Sequence, residues 1–252
     1  KYMLGLRNRQ PQLRVSGMSY RINTEEAQAL AAKLRRSAVT VLNNYFDVLP
    51  LAPVEGDIAV LSIGEKEADA PFVEAMKKNA GISHFHLGQL AAFRRVVISI
   101  TGSTYVSDRD VAFLEGLNLR APLVYTFFTS YRTLQPLMPA LAKSSAVVLA
   151  HSAETDLQQY VADVLFAKKP ASGRMSMSIG KLFPAGTGCM IEPGMKPGKT
   201  VPEDYGMKSY VLQSIDAVAR KGLEAGAYPG CRVLVWKDGL PVYDKGFGTH
   251  SD

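Results

Sequence analysis

The sequence predicts a three-layer α/β/α sandwich around a mostly parallel sheet of five or six strands, followed by a C-terminal helix and β-hairpin. Three observations predict it. Five short apolar runs, residues 38–42, 58–63, 96–100, 123–127 and 146–150, recur along the chain. Most are apolar without strict alternation, as strands are when both of their faces are covered. Polar stretches of helical spacing separate them, so the order is one of repeated βα units.

Each element has its own local cause. Residues 1–22 are a polar lead-in interrupted by Gly5, Pro11 and Gly17. Asn23-Thr24 before Glu25-Glu26 starts a helix with Ala27, Leu30, Ala31 and Leu34 on one face. Lys33, Arg35 and Arg36 lie toward its carboxyl end, where the helix dipole favours positive charge. Asn43, Asn44 and Asp47 predict a turn after the first strand, and Leu49-Pro50-Leu51 an extended segment. The strand over 58–63 ends at Gly64-Glu65, and Pro71 suits the first turn of a helix over 71–78 with Phe72, Ala75 and Met76 as its stripe. In residues 82–87, His84 and His86 alternate with Phe85 and Leu87, a less regular strand pattern. The strand over 96–100 ends in Thr101-Gly102-Ser103, and Asp108 caps a helix carrying Val111, Leu114 and Leu117.

Pro122 opens the strand over 123–127, and residues 135–141 read as a helical turn or short helix. After the strand over 146–150 comes a helix over 154–166 with Leu157, Val161, Val164 and Leu165 on its face. Met175, Met177 and Ile179 alternate with Ser176, Ser178 and Gly180, the pattern of a half-exposed edge strand. Residues 184–202, rich in Gly, Pro and Lys, are expected to form a linker or surface loop outside the core. A last unit carries the stripe Tyr210, Val211, Ile215, Val218, Ala219 and Leu223, then strands over 232–236 and 241–243 joined by Lys237-Asp238-Gly239. One helix and one hairpin bury little, so this unit is incomplete or packs on the first domain. The expected organisation is a lead-in over 1–22, the α/β domain over 23–188, a linker over 189–204 and the last unit over 205–252.

Composition narrows the function classes. The chain has 252 residues, 47% of them hydrophobic, with 29 basic against 23 acidic side chains and a net charge of +6. The surplus is dispersed and carries neither interleaved aromatics nor a reading helix, so no nucleic-acid partner is expected. Cys189 and Cys231 sit in no ligand-spaced cluster, which argues against structural zinc, and a disulfide between them is not favoured. No apolar run of about eighteen residues exists, so no membrane span is expected. The chain opens on Lys1 without a signal peptide, as expected of a processed or excised piece.

Candidate chemistry collects where strands end. Gly64 and Gly102 follow strands but belong to neither a GxGxxG nor a Walker loop, and no cofactor is expected. Glu65, Asp69 and Asp108 lie near strand ends. A pair of carboxylates is what glycoside hydrolysis requires, but a single one at a helix start is usually a cap. His151 follows a strand directly, with Glu154 and Asp156 close by, yet no GxSxG elbow accompanies them, and a helix-start or loop role for His151 is preferred. His84 and His86 share a strand face without a third ligand at motif spacing, so no metal site is expected. Met175, Met177, Met190 and Met195 suit packing or the surface.

One stretch is more specific. Leu34–Leu51 resembles the segment that opens the second domain of family 3 glycoside hydrolases: a helix ending in Ser, a short strand, and a Leu-Pro-Leu turn. Ser37, Thr40, Leu42, Asn44, Leu49, Pro50 and Leu51 match, and Asn43 stands where a lysine is usual. Val96–Ile100, Phe113-Leu114, Pro122, Tyr131, Gln159–Phe166, Ala171-Ser172-Gly173-Arg174, Ser178-Ile179 and Phe183–Gly188 continue the likeness, which spans about residues 1–188. It is similar above all to β-N-acetylhexosaminidase-type members from Bacteroidetes bacteria. A second resemblance lies in Ile215-Asp216, Gly226–Cys231, Val235, Lys237–Gly239 and Gly246–Gly248, which look like the opening of a serine β-lactamase-related (class C, penicillin-binding) domain.

The resemblance implies a retaining glycosidase in which a preceding (β/α)8 barrel holds the nucleophilic Asp and, in the N-acetylglucosaminidase branch, the acid/base group as well. In glucosidase-like members the second domain can contribute the acid/base Glu from a loop, but neither Glu65 nor Glu154 aligns with that role, so residues 1–252 are expected to hold no catalytic residue. They would buttress the barrel, with Glu65, Ser103, His151 and Glu154 as residues that could line the edge of the sugar site. The implied partners are the upstream barrel, a downstream serine-hydrolase domain and a carbohydrate substrate, in a periplasmic, extracellular or outer-membrane-associated setting. Two alternatives stay open: a non-enzymatic carbohydrate-binding or scaffolding module, and an independent hydrolase using His151 or Glu154.

Overall fold

A computed structural model describes residues 16–17, 20, 22–53, 58–86, 95–102, 106–117, 122–197 and 202–249. The chain divides into two compact units, residues 1–34 and 35–252. Helix α1, Glu25–Ser37, carries acids in its first turn and arginines in its last, as its sequence predicts. Its expected apolar face is not buried: Leu30 is 58% and Leu34 62% exposed.

The second unit is built on a six-stranded sheet. Its strands are β1 (Thr40–Asn44), β2 (Ile58–Ile63), β3 (Ile82–His86), β4 (Arg95–Thr101), β5 (Leu123–Phe128) and β6 (Ala146–Leu149). Their order is β1-β6-β5-β4-β2-β3, all parallel except β1, which pairs antiparallel with β6. Both faces are covered, which is why the central strands are apolar on both faces at most positions. Ile58 and Val60 enter one core and Ala59, Leu61 and Ile63 the other.

The crossover rule explains which helix covers which face. From β2 the chain moves outward to β3 through α2 (Ala70–Asn79). From β4 it moves the opposite way to β5 through α3 (Asp108–Leu117). Right-handed crossovers running in opposite directions place their helices on opposite faces. Phe72, Val73 and Met76 of α2 thus share a core with Leu157, Val161 and Val164 of α5 (Thr155–Leu165), where the Phe72 and Phe128 rings meet at 5.0 Å. Leu114 and Leu117 of α3 fill the other core, together with the 3-10 turn Tyr131–Leu137 and the short α4 (Met138–Leu141). The three-layer sandwich is as the sequence predicts.

Two expectations change. Residues 175–179 form no strand. Met175 and Ile179 are buried and Met177 is 44% exposed, but Gly180, at φ +58, turns the chain so that Ile179 bridges Phe183. The alternation belongs to a turn closing over the second core. Residues 184–202 are not wholly outside the core either. Cys189 bridges β1 at Val41, and Ile191 bridges Ala171 and is completely buried. Close backbone approach makes this possible: a Cβ on Gly173 would lie 2.5 Å from the Val39 carbonyl, and one on Gly188 2.3 Å from the Gly173 carbonyl.

The last elements are α6 (Ser209–Glu224) and an antiparallel hairpin of β7 (Gly230–Lys237) and β8 (Leu240–Gly248). Asp238 and Gly239 both have positive φ, 52° and 79°, the two-residue turn whose twist matches a hairpin. Helix α6 buries Leu212 and Ala219 but leaves Val211 50% and Val218 71% exposed, so its buried stripe is rotated from the expected one. Cys189 and Cys231 are both free thiols.

Candidate functional site

The sheet order fixes where a ligand crevice would form. The strand connections diverge between β2 and β4, and open α/β sheets bind ligands at the carboxyl ends of strands at such a reversal. Here Gly64 (φ +134) ends β2 and Gly102 (φ +75) ends β4. Glu65 lies on the turn that follows β2, where it is exposed and its carbonyl accepts the Ala68 amide at 3.1 Å. Ser103 lies outside the described residues.

Beneath this rim runs a polar row. Ser62, Ser99 and Thr126 are register partners on neighbouring strands. The Thr126 hydroxyl donates to the Ile98 carbonyl at 3.0 Å, and the Ser99 hydroxyl is fully buried without a hydrogen-bond partner among the described residues. The Ser62 hydroxyl donates to Asp69 Oδ2 at 2.5 Å and lies 2.8 Å from His84 Nε2. Sequence reasoning noted Asp69 and His84 separately and did not join them to Ser62. Only pairing of β3 alongside β2 does so.

That set resembles a catalytic triad in composition and not in order. A nucleophilic Ser gives its proton to a His that a carboxylate orients. Here the serine sits in the middle: it donates to Asp69 and accepts from His84 Nε2–H. The arrangement gives the buried Asp69 carboxylate, only 3% exposed, a hydrogen-bond donor, and makes that carboxylate, in place of the imidazole, the acceptor of the Ser62 proton. Beside it is a cleft of about 250 Å³ lined by Lys66, Glu67, Glu74, Lys77 and His84, among others. Among the described residues no group of three or more His, Cys, Asp or Glu is placed to hold a metal ion.

Asp69 stands at the N-cap of α2, yet its carboxylate makes no capping bond there. Gln158, buried in α5, does that work: its Oε1 accepts the Phe72 amide at 3.2 Å, and its Nε2 donates to the carbonyls of Ala68 (3.0 Å) and Ala153 (2.8 Å). One amide thereby fixes the loops after β2 and β6 together at the rim.

His151 and Glu154 occupy the loop after β6. His151 has φ +71, unusual for a residue with a side chain. Desolvation of its ring holds the imidazole pKa below the ordinary value, partly opposed by a hydrogen bond with the Ala38 backbone. Glu154 precedes α5, accepts the Leu157 and Gln158 amides through its carbonyl at 3.0 Å, and has its carboxylate 3.9 Å from Arg35 Nε. Asp156 lies 3.1 Å from Arg36 and 3.9 Å from Arg35. The acids of this loop are thus answered by guanidinium groups.

Similar folds occur among solved structures. A fungal multi-domain GH3 β-N-acetylglucosaminidase matches with a TM-score of 0.52 and 17% identity, over 69% of this chain and 21% of that one. About two thirds of the chain has the fold of part of a family 3 glycoside hydrolase. The β-glucosidase of Listeria innocua gives 0.49 and 16%, over 67% of this chain and 29% of that one. The β-glucoside phosphorylase BglX gives 0.46 and 11%, over 67% and 34%. The chain therefore spans between a fifth and about a third of these proteins. No family model and no curated protein sequence matches it. No helix among the described residues is long and apolar enough to cross a membrane.

Proposed function

We propose that this chain is the second α/β domain of a retaining family 3 glycoside hydrolase of β-N-acetylhexosaminidase type. Its role is to support a preceding catalytic barrel and to present its β2/β4 rim, with Glu65 and Ser103 as edge residues, to the sugar site. The fold shared with part of the fungal β-N-acetylglucosaminidase carries this reading. The state of the candidate residues supports it. Asp69 is buried under Ser62, His151 is constrained by its backbone, and Glu154 is an exposed carboxylate 3.9 Å from Arg35. Asp69 and His151 are thereby committed to holding the fold. Residues 205–252 then open a serine β-lactamase-related domain, in keeping with exposed Leu234, Trp236 and Leu240 on the hairpin. The parent enzyme works in the periplasm or at the cell surface of a Bacteroidetes bacterium, as the sequence likeness implies.

The test is hydrolysis of a chromogenic N-acetyl-β-glucosaminide by the 252 residues alone and after addition of the separately expressed upstream barrel. Turnover only in the mixture is expected, and a Glu65→Ala change should then raise KM more than it lowers kcat. Turnover by the chain alone would overturn the supporting role and direct attention to His151 and Glu154.

A further inference from the structure

We propose that the cleft between the turn after β1 and the helix–hairpin unit binds a single sugar ring, apart from the β2/β4 rim. The inference rests on the carbohydrate reading above for its ligand class, and on a separate set of residues for its site. The cleft measures about 250 Å³ and is lined by Tyr45, Phe46 and Asp47 from the turn, Gln213 and Asp216 from α6, and Tyr243 from β8, among others.

The turn is built to present an aromatic side chain. Asn44 brackets Leu49, its Nδ2 donating to the Leu49 carbonyl and its Oδ1 accepting the Leu49 amide, each at 2.9 Å. Within that loop Phe46 and Asp47 both adopt positive φ, 58° and 49°. A bulky residue is rare in this region of backbone conformation. The result is a Phe46 ring 5.9 Å from Tyr243 at a tilt of 60°.

The opposite wall is polar. Asp216 accepts the Tyr243 hydroxyl at 2.8 Å and is bound by Lys245. Gln213 Nε2 is buried against the cleft and has no hydrogen-bond partner among the described residues, so it is a donor left over after the fold has met its own needs. Asp47 is exposed at the rim. A pyranose has an apolar C–H face, which suits an aromatic ring, and an edge of hydroxyls, which suits a carboxylate and an amide. A phosphate is disfavoured: the lysine is already held by Asp216, Arg232 is already held by Asp244, and Asp47 leaves a negative charge at the rim. The volume lies below the range of about 300–1,000 Å³ for drug-sized ligands, which limits the occupant to one ring.

The experiment titrates the full 252-residue chain with N-acetylglucosamine and with glucose. Calorimetry and the amide resonances of residues 44–47 and 243–245 report binding. Saturable movement of both groups of resonances is expected. Phe46→Gly, which removes the ring while relieving the left-handed backbone, should weaken binding about tenfold or more without loss of stability, and Phe46→Tyr should retain it. The proposal is overturned by absence of saturable binding to either sugar, by binding that Phe46→Gly leaves intact, or by movement confined to residues 64–69. Turnover with the added barrel is read separately, so a silent barrel rejects the enzymatic reading and unmoved resonances reject this one.

Discussion

Gln158→Leu would test whether the rim of the sheet is held by one buried amide. Gln158 is 2% exposed and makes three hydrogen bonds to backbone groups of two different loops. Leu has nearly the same volume and none of the polar atoms. The change leaves the Phe72 amide and the Ala68 and Ala153 carbonyls without their partner. A buried group deprived of its partner costs about 1–3 kcal/mol, and carbonyls near a crevice recover part of this from water, so a loss of ~3 kcal/mol is the reasonable sum. The more apolar side chain returns ~1 kcal/mol, and a net destabilisation of about 2 kcal/mol is expected. Gln158→Glu should lose more at neutral pH, because it sets a carboxylate against two carbonyl oxygens. That carboxyl would have a raised pKa in the folded state. Its protonated form is favoured, so the variant should be most stable in acid and lose stability as pH rises through the raised value. Urea unfolding followed by circular dichroism reads both. A loss below about 0.5 kcal/mol for Gln158→Leu at unchanged m would refute the argument that this residue caps α2 in place of Asp69.

Further outcomes follow from the same geometry. Gly173→Ala places a Cβ 2.5 Å from the Val39 carbonyl and should destabilise the chain by about 2–3 kcal/mol or prevent its folding, whereas Gly116→Ala, in open space on α3, should be neutral or slightly stabilising in thermal melts. Desolvation, followed by the hydrogen bond to Asp216, pushes the Tyr243 hydroxyl well above the ordinary tyrosine range. The folded state thus holds this proton more tightly than the unfolded one. Stability it contributes is present below about pH 10 and declines as pH rises toward the raised value, with Tyr243 among the last tyrosines to ionise in an absorbance titration. His151 titrates in the opposite sense. Its lowered pKa favours the folded state above the ordinary histidine value of about 6.5, and that contribution falls away as pH drops through the lowered value. His151→Asn, which tolerates positive φ, should remove this acid-side slope and leave turnover with the added barrel unchanged.

How much of this was legible in the sequence depended on whether the cause was local. The strands were legible because both sides of the sheet are covered, and such a strand is apolar at nearly every position, as Ala146–Leu149 is throughout. The helices over Ala70–Asn79 and Thr155–Leu165 were legible from spacing, since each buries one stripe. Spacing does not say what a stripe meets, however. Leu30 and Leu34 have helical periodicity and remain exposed, and α6 buries Leu212 where Val211 and Val218 were expected. The site was harder for the same reason. His151, Glu154 and Asp156 attract notice because they are neighbours along the chain, but proximity in sequence says nothing about Arg35 and Arg36, which arrive from over a hundred residues earlier and engage Glu154 and Asp156. Ser62, Asp69 and His84 meet because β3 adds outside β2, and no spacing rule encodes that pairing. Gly173 and Gly188 lie between these cases. They were visible as letters in a family-like text, and the reason for them is steric. The segment carrying Cys189 and Ile191 crosses β1 so closely that two positions cannot bear a side chain, and a surface-like run of Gly, Pro and Lys is thereby tied into the core.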